Sequence, residues 1–380
     1  MHVVSLSLDP HVLNPESVVA SRSRGYGEVL DSFTIIVPNV SSEIIQLSPK
    51  VVVMGTGGGN KLVQLWRLYQ LVRQAVIAGK CEVITSQDTY FLAFLGYLLA
   101  RRYHLGLEVQ ILGIEKLNWF RQRLMYFTIN HASQVRLLSN SIKHRLQDEF
   151  GLAHERMTVV PIFTDVSSLA FDTSSLSDVE RAIVSAGTHD FQASYGDYFN
   201  FVTISRLVPV KNISLQLRAI AQLKAKYPDI RLHVVGDGPL RTGLEDLAKE
   251  LEIGSQVIFH GAKYGSELSP FFTETDCFVL TSHSEGWGMV VVEAATAGLP
   301  VIMTEVGCAG EVIKDGESGI IIKDNDLSAL TAAMTIMMSD PEQRQVMGAA
   351  AKRDVANLPS FAEVRAQYLA SWQAALNSKL

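Results

Sequence analysis

Apolar and polar positions alternate along the chain in a pattern that predicts strands separated by helices. Short apolar runs that end in polar or glycine residues are typical of buried strands, and the longer stretches between them have apolar residues at helical spacing. In the first half, strands are predicted at 3–8, 33–37, 51–54, 81–88, 107–112, 135–139 and 157–161, with helices at 62–78, 89–103 and 140–150. Strands that alternate with helices form parallel sheets covered on both faces.

A second alternating series begins after residues 166–198, where the strand rhythm is lost. Its strands are predicted at 199–204, 232–235, 257–259, 277–280, 301–304 and 319–322, and the chain is predicted to be helical after Pro341. A chain of 380 residues also exceeds the ~250–300 residues at which single cores stop growing. We therefore predict a first domain at 1–165, a linker at 166–198 and a second domain at 199–359.

One loop between a strand and a helix, at 282–288, contains the residues best suited to bind a ligand. Gly298 and Pro300 end the helix that follows it, so the next strand runs parallel to the first. Ligands of such sheets bind beyond the carboxyl ends of the strands. Gly286 and Gly288 allow the backbone to approach a ligand, and the amides at the helix start favour an anion such as phosphate. Tight packing of the turn is the alternative when this motif is taken alone.

The longer pattern Glu285-Gly-Trp-Gly-x4-Glu293-Ala-x3-Gly-x-Pro-Val-Ile resembles the E-x7-E signature of the family-4 glycosyltransferases, with Trp287 where Phe is usual. These are retaining enzymes of the GT-B fold. The resemblance implies an α/β protein with two Rossmann-like parallel-sheet domains facing a cleft. It also implies that a C-terminal helix, at 360–380, crosses back to the N-terminal domain. In this family the residue equivalent to Glu285 lies beside the donor sugar, and the one equivalent to Glu293 holds the ribose.

Two further blocks resemble donor-binding segments of the same family. Arg206 and Lys211 follow the first strand of the second series, and both could reach one diphosphate, although alone they would more often be ordinary surface charges. Their block resembles Gly-Arg-Leu-x3-Lys-Gly, whose cations neutralise the leaving diphosphate, with Ser205 and Asn212 in place of the glycines. A Gly-x-Gly-Pro loop at 236–239 resembles the floor of the donor site. The implied donor site consists of Arg206, Lys211, Gly236, Gly238, Glu285, Gly286, Trp287, Gly288 and Glu293, with Glu285, Arg206 and Lys211 as catalytic residues.

The first series resembles the acceptor-binding half of the family more weakly. The acceptor is expected to bind to loops of this domain, including a polar loop at 9–27, through Asp9, Arg22, Arg24, Gln87, Asp88 and Glu115. Family members commonly have a His after the strand at 107–112, where this chain has Leu112-Gly113-Ile-Glu115. There are three alternatives: the activity does not need that imidazole, Glu115 or a neighbouring residue replaces it, or catalysis is impaired. A retaining transfer in which the leaving phosphate takes the acceptor proton would tolerate the loss better than base catalysis.

Two other patterns resemble binding sites but favour structural explanations. The glycine-rich segment 55–62 lacks the second glycine and the Ser or Thr of a Walker loop, so we predict a flexible turn between strand and helix. Asp324-Asn-Asp326 matches the Asp-x-Asp pattern by which another glycosyltransferase fold binds a divalent cation. Because it directly precedes a predicted helix, Asp326 is expected to cap that helix. We predict no obligatory metal and no cofactor, since the nucleotide sugar is a substrate.

The composition and the net charge argue against some functions and some cellular locations. A net charge of −6 argues against nucleic-acid binding. The three cysteines are far apart and lack metal-ligand spacing, so reduced, buried thiols in a cytoplasmic protein are expected. The first residues lack the features of a signal peptide, and the longest apolar run, 91–100, is too short to cross a bilayer. Because two arginines follow it, this run is either a core helix, which we favour, or a peripheral contact with the inner membrane surface.

These features predict a retaining, metal-independent glycosyltransferase of polysaccharide biosynthesis. It would move a hexose-type sugar from a UDP- or GDP-sugar to a hydroxyl of a glycan or a lipid-linked acceptor. A different GT-B activity, such as an epimerase or a phosphorylase, is one alternative, but the E-x7-E block with its Arg and Lys partners argues against it. A non-catalytic nucleotide-sugar-binding pseudoenzyme is another, and the missing His motivates it. Fold and family resemblance do not determine the substrate.

Overall fold

The computed structural model describes residues 1–113, 118–164 and 198–380. These residues form two compact units, which are Met1–Phe163 together with Pro359–Leu380, and Thr164–Leu358. Each unit contains one sheet with helices packed on it, as the alternation of strands and helices predicted. Except for residue 198, the predicted linker lies outside the described residues.

The first unit is built on an eight-stranded sheet. Its strands are β1 (His2–Leu6), β2 (Ser32–Val37), β3 (Ile44–Ser48), β4 (Val51–Gly55), β5 (Val83–Ser86), β6 (Gly106–Ile111), β7 (Gln134–Leu137) and β8 (Met157–Val159). Its helices are α1 (Val18–Glu28), α2 (Lys61–Ile77), α3 (Phe91–Tyr103), α4 (Trp119–His131), α5 (Asn140–Phe150) and, from the end of the chain, α12 (Phe361–Asn377). The spatial order is β3-β4-β2-β1-β5-β6-β7-β8, and every neighbouring pair except β3 with β4 is parallel.

The edge strand β3 was not predicted from the sequence. It pairs antiparallel with β4, with Ile44 opposite Met54. Ile44 is exposed, and the strand also contains Gln46 and Ser48, so its apolar content does not stand out from the surrounding loop. Pairing of its backbone with β4, rather than burial of its own side chains, therefore determines this strand.

The segment predicted as a polar loop at 9–27 is mostly helical, and that prediction was wrong. A short 3-10 turn (Pro10–Leu13) follows β1, and α1 begins at Val18. The hydroxyl of Ser17 accepts a hydrogen bond from the amide of Ala20, at 3.1 Å, and so caps the helix. Polar composition alone did not reveal this helix, because α1 has little apolar periodicity.

Two glycines inside α1 explain why the segment resembled a turn. A Cβ atom on Gly25 would lie 2.4 Å from the ring of Phe361, and one on Gly27 would lie 2.1 Å from a methyl group of Val51. Such distances are far below van der Waals contact. The glycines are therefore present because α1 packs closely on α12 and β4, rather than because the chain turns there.

The C-terminal helix α12 packs on the first unit, as the family resemblance predicted. The indole ring of Trp372 is buried and lies 5.7 Å, between ring centroids, from Phe33 of β2. Tyr368 stacks on Tyr26 of α1, with ring centroids 4.2 Å apart. Large aromatic side chains bury much apolar surface, so these contacts hold the end of the chain on the first sheet.

A buried ion pair adds a polar connection between α12 and the sheet. Nε of Arg136 on β7 lies 3.1 Å from Oε1 of Glu108 on β6, and both side chains are almost completely buried. Glu108 also accepts hydrogen bonds from the hydroxyls of Thr85, at 2.7 Å, and of Ser371 on α12. The guanidinium carbon of Arg136 lies 3.7 Å from the ring centre of Tyr368. These partners satisfy charges that would be costly to bury alone.

The second unit contains a six-stranded sheet in which all neighbouring pairs are parallel. Its strands are β9 (Phe199–Ile204), β10 (Ile230–Val235), β11 (Val257–Gly261), β12 (Cys277–Leu280), β13 (Val301–Thr304) and β14 (Gly319–Ile322). Its helices are α6 (Ile213–Leu223), α7 (Arg241–Glu250), α8 (Ser269–Thr273), α9 (Met289–Thr296), α10 (Leu327–Ser339) and α11 (Pro341–Ala356). All six strands were predicted, with bounds within two residues.

Several smaller predictions also have clear outcomes. Asn60 caps α2 by accepting from the amide of Val63, so the glycine-rich segment before it is a turn between strand and helix, as predicted. The apolar run at 91–100 is a core helix, since most of its side chains are buried. The cysteines are unpaired and buried, as predicted. Within the described ranges, no helix is long and apolar enough to cross a membrane.

Candidate donor-binding site

The loops that contain the predicted donor-binding residues meet where the strand order of the second sheet reverses. β10 and β11 lie on one side of β9, and β12, β13 and β14 lie on the other. Because β9 and β12 are parallel neighbours, the loops that follow them lie at the same edge of the sheet. Ligands of open parallel sheets bind at such a switch point. The candidate site is therefore the edge formed by residues 205–212 and 281–288.

Lys211 and Glu285 form an ion pair between these two loops. The Lys211 Nζ lies 2.5 Å from Oε1 of Glu285, and the two side chains are only 17% and 12% exposed. The hydroxyl of Ser282 donates a second hydrogen bond to the same carboxylate oxygen, at 2.6 Å. The structure thus places the predicted sugar-side carboxylate in direct contact with one of the predicted phosphate-binding cations.

The backbone of Asn212 explains one departure from the family pattern. Its φ of 47° and ψ of 43° lie in the left-handed region, which glycine and asparagine adopt more easily than other residues. The hydroxyl of Thr281 lies 3.0 Å from the carbonyl oxygen of Asn212 and 3.2 Å from that of Lys211, so this turn is fixed to the end of β12. Asparagine therefore supplies the conformation for which the family pattern uses glycine.

Arg206 is the second predicted phosphate-binding cation, and its side chain is exposed. Its guanidinium makes no hydrogen bond or ion pair with the residues that the structure describes. The backbone on either side is fixed, because the amides of Ser205 and Leu207 donate to carbonyl oxygens of Val235 and Asp237, at 3.0 and 2.9 Å. The guanidinium is thus an available cation on a rigid segment.

Gly236 and Gly238 allow that rigid segment to form. A Cβ atom on Gly236 would lie 1.8 Å from the carbonyl oxygen of Ser205, and one on Gly238 would lie 2.5 Å from that of Leu207. No side chain fits at these distances. The Gly-x-Gly loop therefore supports residues 205–207 from beneath.

The loop that contains Gly286, Trp287 and Gly288 leads directly into α9. Gly288 precedes the helix with a φ of 85°, and as a glycine it has no side chain to cap the first-turn amides. Trp287 is buried, and its carbonyl oxygen accepts a hydrogen bond from the amide of Cys308, at 2.8 Å. A rigid loop followed by a helix N-terminus with glycine as its N-cap residue is suited to bind an anion.

Glu293 lies on α9, one turn beyond its start. Its side chain is half-buried, and desolvation raises the pKa of the carboxyl group above its usual value. Its carboxylate has no hydrogen-bond partner among the described residues. A partly desolvated carboxylate of this kind is available to accept hydrogen bonds from the hydroxyl groups of a ligand.

Two of the acceptor-side candidates lie at the corresponding switch point of the first sheet. Asp9 follows β1 and Gln87 follows β5, and these parallel strands are neighbours at the point where the strand order reverses. The hydroxyl of Ser7 connects them, since it donates to Oε1 of Gln87 at 2.6 Å and accepts from the amide of Asp9 at 3.1 Å.

Asp88, next to Gln87, has a structural role that the sequence did not predict. Its side chain is buried, and its Oδ1 accepts hydrogen bonds from the amides of Tyr90 and Leu92, at 2.8 and 2.9 Å. Desolvation raises the pKa of this carboxyl group, although these backbone hydrogen bonds act in the opposite direction. Asp88 thus binds the amides at the start of α3.

The two arginines predicted to lie on an acceptor loop lie on α1 instead. Nη2 of Arg22 is 3.4 Å from the carbonyl oxygen of Phe163, and Nε of Arg24 is 3.3 Å from that of Leu47. Both contacts connect α1 to neighbouring segments of the first unit. Glu115 lies outside the described residues.

The Asp-x-Asp segment is engaged in structural contacts. Asp326 accepts a hydrogen bond from the amide of Ala329, at 2.9 Å, and caps α10 as predicted. Oδ1 of Asp324 lies 2.6 Å from Nδ1 of His283, a contact that sequence reasoning missed. No cluster of three or more His, Cys, Asp or Glu side chains suited to a metal ion occurs in the described part of the chain. Ser282 was also missed, and its position at the end of β12 was the available signal.

Comparison with known proteins identifies the family of the second unit. Residues 188–354 match the family of glycosyl transferases group 1. A GDP-mannose-dependent alpha-(1-6)-phosphatidylinositol monomannoside mannosyltransferase from Mycolicibacterium smegmatis is 32% identical over 59% of this chain and 57% of that protein. A D-inositol 3-phosphate glycosyltransferase from Thermomonospora curvata is 27% identical over 66% of this chain and 56% of that protein. The matched part is thus just over half the length of these relatives.

Solved structures resemble the chain over almost its whole length. A sucrose-phosphate synthase from Thermosynechococcus elongatus has a TM-score of 0.76 at 17% identity and covers 99% of both chains. The Anabaena protein HepE, in complex with UDP, has a TM-score of 0.74 at 17% identity over 98% of this chain and all of that chain. The chain therefore has the GT-B fold, and residues 188–354 match the glycosyl transferases group 1 family, in agreement with the resemblance of the E-x7-E stretch.

Proposed function

We propose that this protein is a retaining glycosyltransferase that moves a hexose-type sugar from a nucleotide-diphosphate sugar to a hydroxyl group of a glycan or a lipid-linked acceptor. The observation that carries the proposal is the Lys211–Glu285 ion pair at the switch point of the second sheet. It joins a predicted phosphate-binding residue to a predicted sugar-side residue, and Glu285 lies in the loop that leads through Gly288 into the N-terminus of α9. The cation and the helix N-terminus suit the diphosphate of a nucleotide sugar, and the carboxylate suits its sugar.

The diphosphate would bind between Arg206, Lys211 and the first-turn amides of α9. The charge of Lys211 is already matched by Glu285, so the unmatched positive charge comes from Arg206 and from the helix end. These groups would stabilise the negative charge that develops on the leaving diphosphate. They supply the role that a divalent cation has in other glycosyltransferases, and so we propose a metal-independent reaction.

The nucleoside would be held through its ribose. The carboxylate of Glu293, which has no hydrogen-bond partner among the described residues, can accept hydrogen bonds from both ribose hydroxyls. The names of similar proteins support both common donor types, since one relative is GDP-mannose-dependent and the similar HepE structures contain UDP or UDP-glucose. The donor is therefore proposed as a UDP- or GDP-sugar.

The transfer would break the bond between the anomeric carbon and the diphosphate oxygen, and form a bond from the acceptor oxygen to the same face of that carbon. The acceptor hydroxyl would give its proton to the leaving diphosphate, so the lost imidazole at 112–113 is not required. Glu285, held by Lys211 and Ser282, would lie beside the sugar and stabilise its positive charge in the transition state. On the acceptor side, we assign Asp9 and Gln87 as the first contacts.

Thermal unfolding of the full chain with UDP- and GDP-sugars, with and without EDTA, tests the donor site. A donor at one hundred times its dissociation constant should stabilise the protein by about 2.7 kcal/mol. Each variant is compared with its own ligand-free midpoint, so a loss of basal stability does not confuse the result. Lys211→Ala should abolish the donor-dependent shift, and EDTA should not change it. Lys249→Ala, which removes an exposed lysine on α7, should leave it unchanged.

If no nucleotide sugar shifts the midpoint of the wild type, the donor assignment fails. A shift that EDTA removes would overturn the metal-independent reaction. The remaining alternatives differ in turnover. With the stabilising donor, a transferase forms product only when an acceptor is present, a pseudoenzyme forms none, and an epimerase converts the donor without an acceptor.

A further inference from the structure

Helices α2, α3 and α4 begin at one edge of the first sheet. They follow β4, β5 and β6, which run in the same direction, and α3 contacts both α2 and α4. The first turns of three adjacent helices are therefore near one another at the carboxyl edge of this sheet.

Large apolar side chains in the first two turns of these helices are exposed to solvent. We call this set the aromatic edge, and it consists of Leu62 (80% exposed), Trp66 (62%), Phe91 (43%), Trp119 (68%) and Phe120 (55%). It includes two of the four tryptophans of the chain, whereas the other two are at most 2% exposed. The rings of Phe91 and Phe120, on α3 and α4, lie 6.4 Å apart, so the set is continuous between these helices. Apolar patches of this kind usually mark an interaction surface.

Positive side chains accompany the aromatic edge. Lys61, Arg67, Arg121 and Arg123 are all exposed, and none of them forms an ion pair with a described carboxylate. The guanidinium carbon of Arg121 lies 5.2 Å from the ring centre of Tyr90, and that of Arg123 lies 5.2 Å from the ring centre of Trp119. This surface is thus locally cationic although the whole chain has a net charge of −6.

We propose that the aromatic edge docks on the surface of an anionic lipid bilayer. Tryptophan and phenylalanine side chains enter the interface between headgroups and acyl chains, and the surrounding lysine and arginine side chains bind lipid phosphates. Charge complementarity selects this partner, because the surface combines exposed indole rings with exposed cations that form no ion pair with the carboxylates that the structure describes.

This surface differs from the membrane contact that the sequence offered. The run at 91–100 packs in the core through Leu92, Ala93, Gly96, Tyr97, Leu99 and Ala100, and only its first residue, Phe91, belongs to the aromatic edge. The two arginines that follow the run are exposed at the other end of α3 and are not part of the aromatic edge. The aromatic edge instead lies at the same edge of the sheet as Gln87, which follows β5. When the protein is docked, a lipid-linked acceptor in the bilayer would therefore lie on the same side of the first sheet as Gln87, one of the assigned acceptor contacts. This consequence rests on the proposed function. Docking itself does not depend on glycosyl transfer.

Cosedimentation of the full chain with vesicles tests the proposal. One set of vesicles contains phosphatidylcholine alone, and the other contains equal parts of phosphatidylcholine and phosphatidylglycerol. The wild type should bind the anionic vesicles, with less binding at high salt. Replacing two of the aromatic residues, Trp119→Ser with Phe120→Ser, should weaken binding about tenfold or more. Reversing the charges, Arg121→Glu with Arg123→Glu, should weaken binding by at least about tenfold.

Matched controls come from the second unit, where Val346→Ser and Arg218→Glu change an exposed apolar residue and an exposed cation. Both controls should bind as the wild type does. Circular dichroism of each variant reports whether the fold is retained. A blue shift of tryptophan fluorescence on adding anionic vesicles should be smaller when Trp119 alone is replaced by Tyr, a change that keeps an aromatic side chain.

Four results would overturn the proposal. The first is that wild type does not bind anionic vesicles, and the second is that folded aromatic-edge variants bind as well as wild type. The third is a self-association of the wild type, without lipid, that the Trp119→Ser with Phe120→Ser variant abolishes, since the edge would then bind a second copy of the chain. The fourth is equal binding to neutral and anionic vesicles, since the proposal requires an anionic bilayer.

Discussion

Lys211 and Glu285 are 74 residues apart in the sequence, and their side chains meet at 2.5 Å in the folded protein. They follow β9 and β12, which are neighbours in the sheet although β10 and β11 lie between them in the chain. The pair is mostly buried, and its carboxylate is also held by Ser282. A positive and a negative group are therefore fixed in position before any ligand binds, which lowers the cost of ordering them on binding.

The Lys211–Glu285 pair should contribute less to the free energy of unfolding than a single substitution suggests. A single substitution also leaves the remaining group buried without its partner. Lys211→Met leaves the Glu285 carboxylate buried without its cation and should lower the free energy of unfolding by roughly 3 kcal/mol. The double variant Lys211→Met with Glu285→Gln should lose about 1–3 kcal/mol less than the sum of the two single variants. Urea unfolding of all four proteins gives the coupling energy. The exposed pair Lys249 and Asp246 is the control, with a coupling below about 1 kcal/mol.

The left-handed backbone at Asn212 predicts that two small substitutions have different effects on the stability of the protein. Asn212→Gly should leave the stability unchanged within about 0.5 kcal/mol, because glycine adopts this conformation without strain. Asn212→Ala should destabilise the protein by about 1–2 kcal/mol, since its Cβ disfavours a left-handed backbone. Unfolding midpoints in urea distinguish them. Equal stability of the two variants would show that φ at this position does not select the residue.

Two helical glycines should respond in opposite directions to alanine. Gly27→Ala in α1 places a methyl group against Val51, a buried and stiff β-branched residue, and should destabilise the protein by about 1–3 kcal/mol. Gly243→Ala in α7 meets no atom within 4 Å and should stabilise it by about 0.5–1 kcal/mol through helix propensity. Thermal unfolding of both variants is the measurement. A stabilising Gly27→Ala would mean that α1 does not pack closely on β4.

Donor binding should weaken in acid because of Glu293. Desolvation raises the pKa of this carboxyl group, so it becomes protonated at a higher pH than an exposed glutamate and then accepts fewer hydrogen bonds from the ribose. Glu293→Gln should lower donor affinity by about tenfold to a hundredfold, as expected for hydrogen bonds to a charged group. Calorimetric titration with the stabilising UDP- or GDP-sugar at about pH 7.5 and about pH 5 measures both effects. Glu250→Gln, on the exposed end of α7, should retain the affinity and the pH dependence of the wild type.

Two histidines should make the second unit less stable in acid. Burial, with smaller effects of His260 and Arg231, lowers the pKa of His233 to about 3, and burial with a smaller effect of Lys263 lowers that of His260 to about 4. Because the folded-state values lie below the unfolded value of about 6.5, the unfolded chain binds protons first. The free energy that these two histidines contribute to folding is present above about pH 6.5. It is lost as the pH falls from about 6.5 towards the folded-state pKa values of about 3 and about 4.

The contacts of these histidines agree with neutral rings. His233 Nε2 lies 3.0 Å from Oδ1 of Asn200, and its Nδ1 lies 2.9 Å from Nε2 of His260, so one added proton would place two donors face to face. Urea midpoints measured between about pH 7 and about pH 5 should fall for the wild type and fall less for His260→Gln. Equal slopes for both proteins would show that other groups determine the acid sensitivity.

The positions of the two loops that form the candidate site were predictable because their signals are local. Gly288 and Glu293 lie within one strand-loop-helix segment, where the glycine and the end of the apolar run indicate the helix start. Arg206 and Lys211 likewise follow a strand whose apolar run is unbroken. Local patterns failed where the local composition was ambiguous. The polar segment that became α1 and the exposed strand β3 depend on packing against Phe361 and on pairing with β4.

By itself, the sequence determined most of the order of strands and helices, the division into two units and the positions of the loops that follow β9 and β12, because apolar periodicity, glycines and helix caps act between residues close in the chain. Only the tertiary structure decided which distant groups meet. It paired Lys211 with Glu285, buried Trp372 and left Trp119 exposed. Burial and charge pairing depend on which segments become neighbours in the sheet, and no local pattern contains that information.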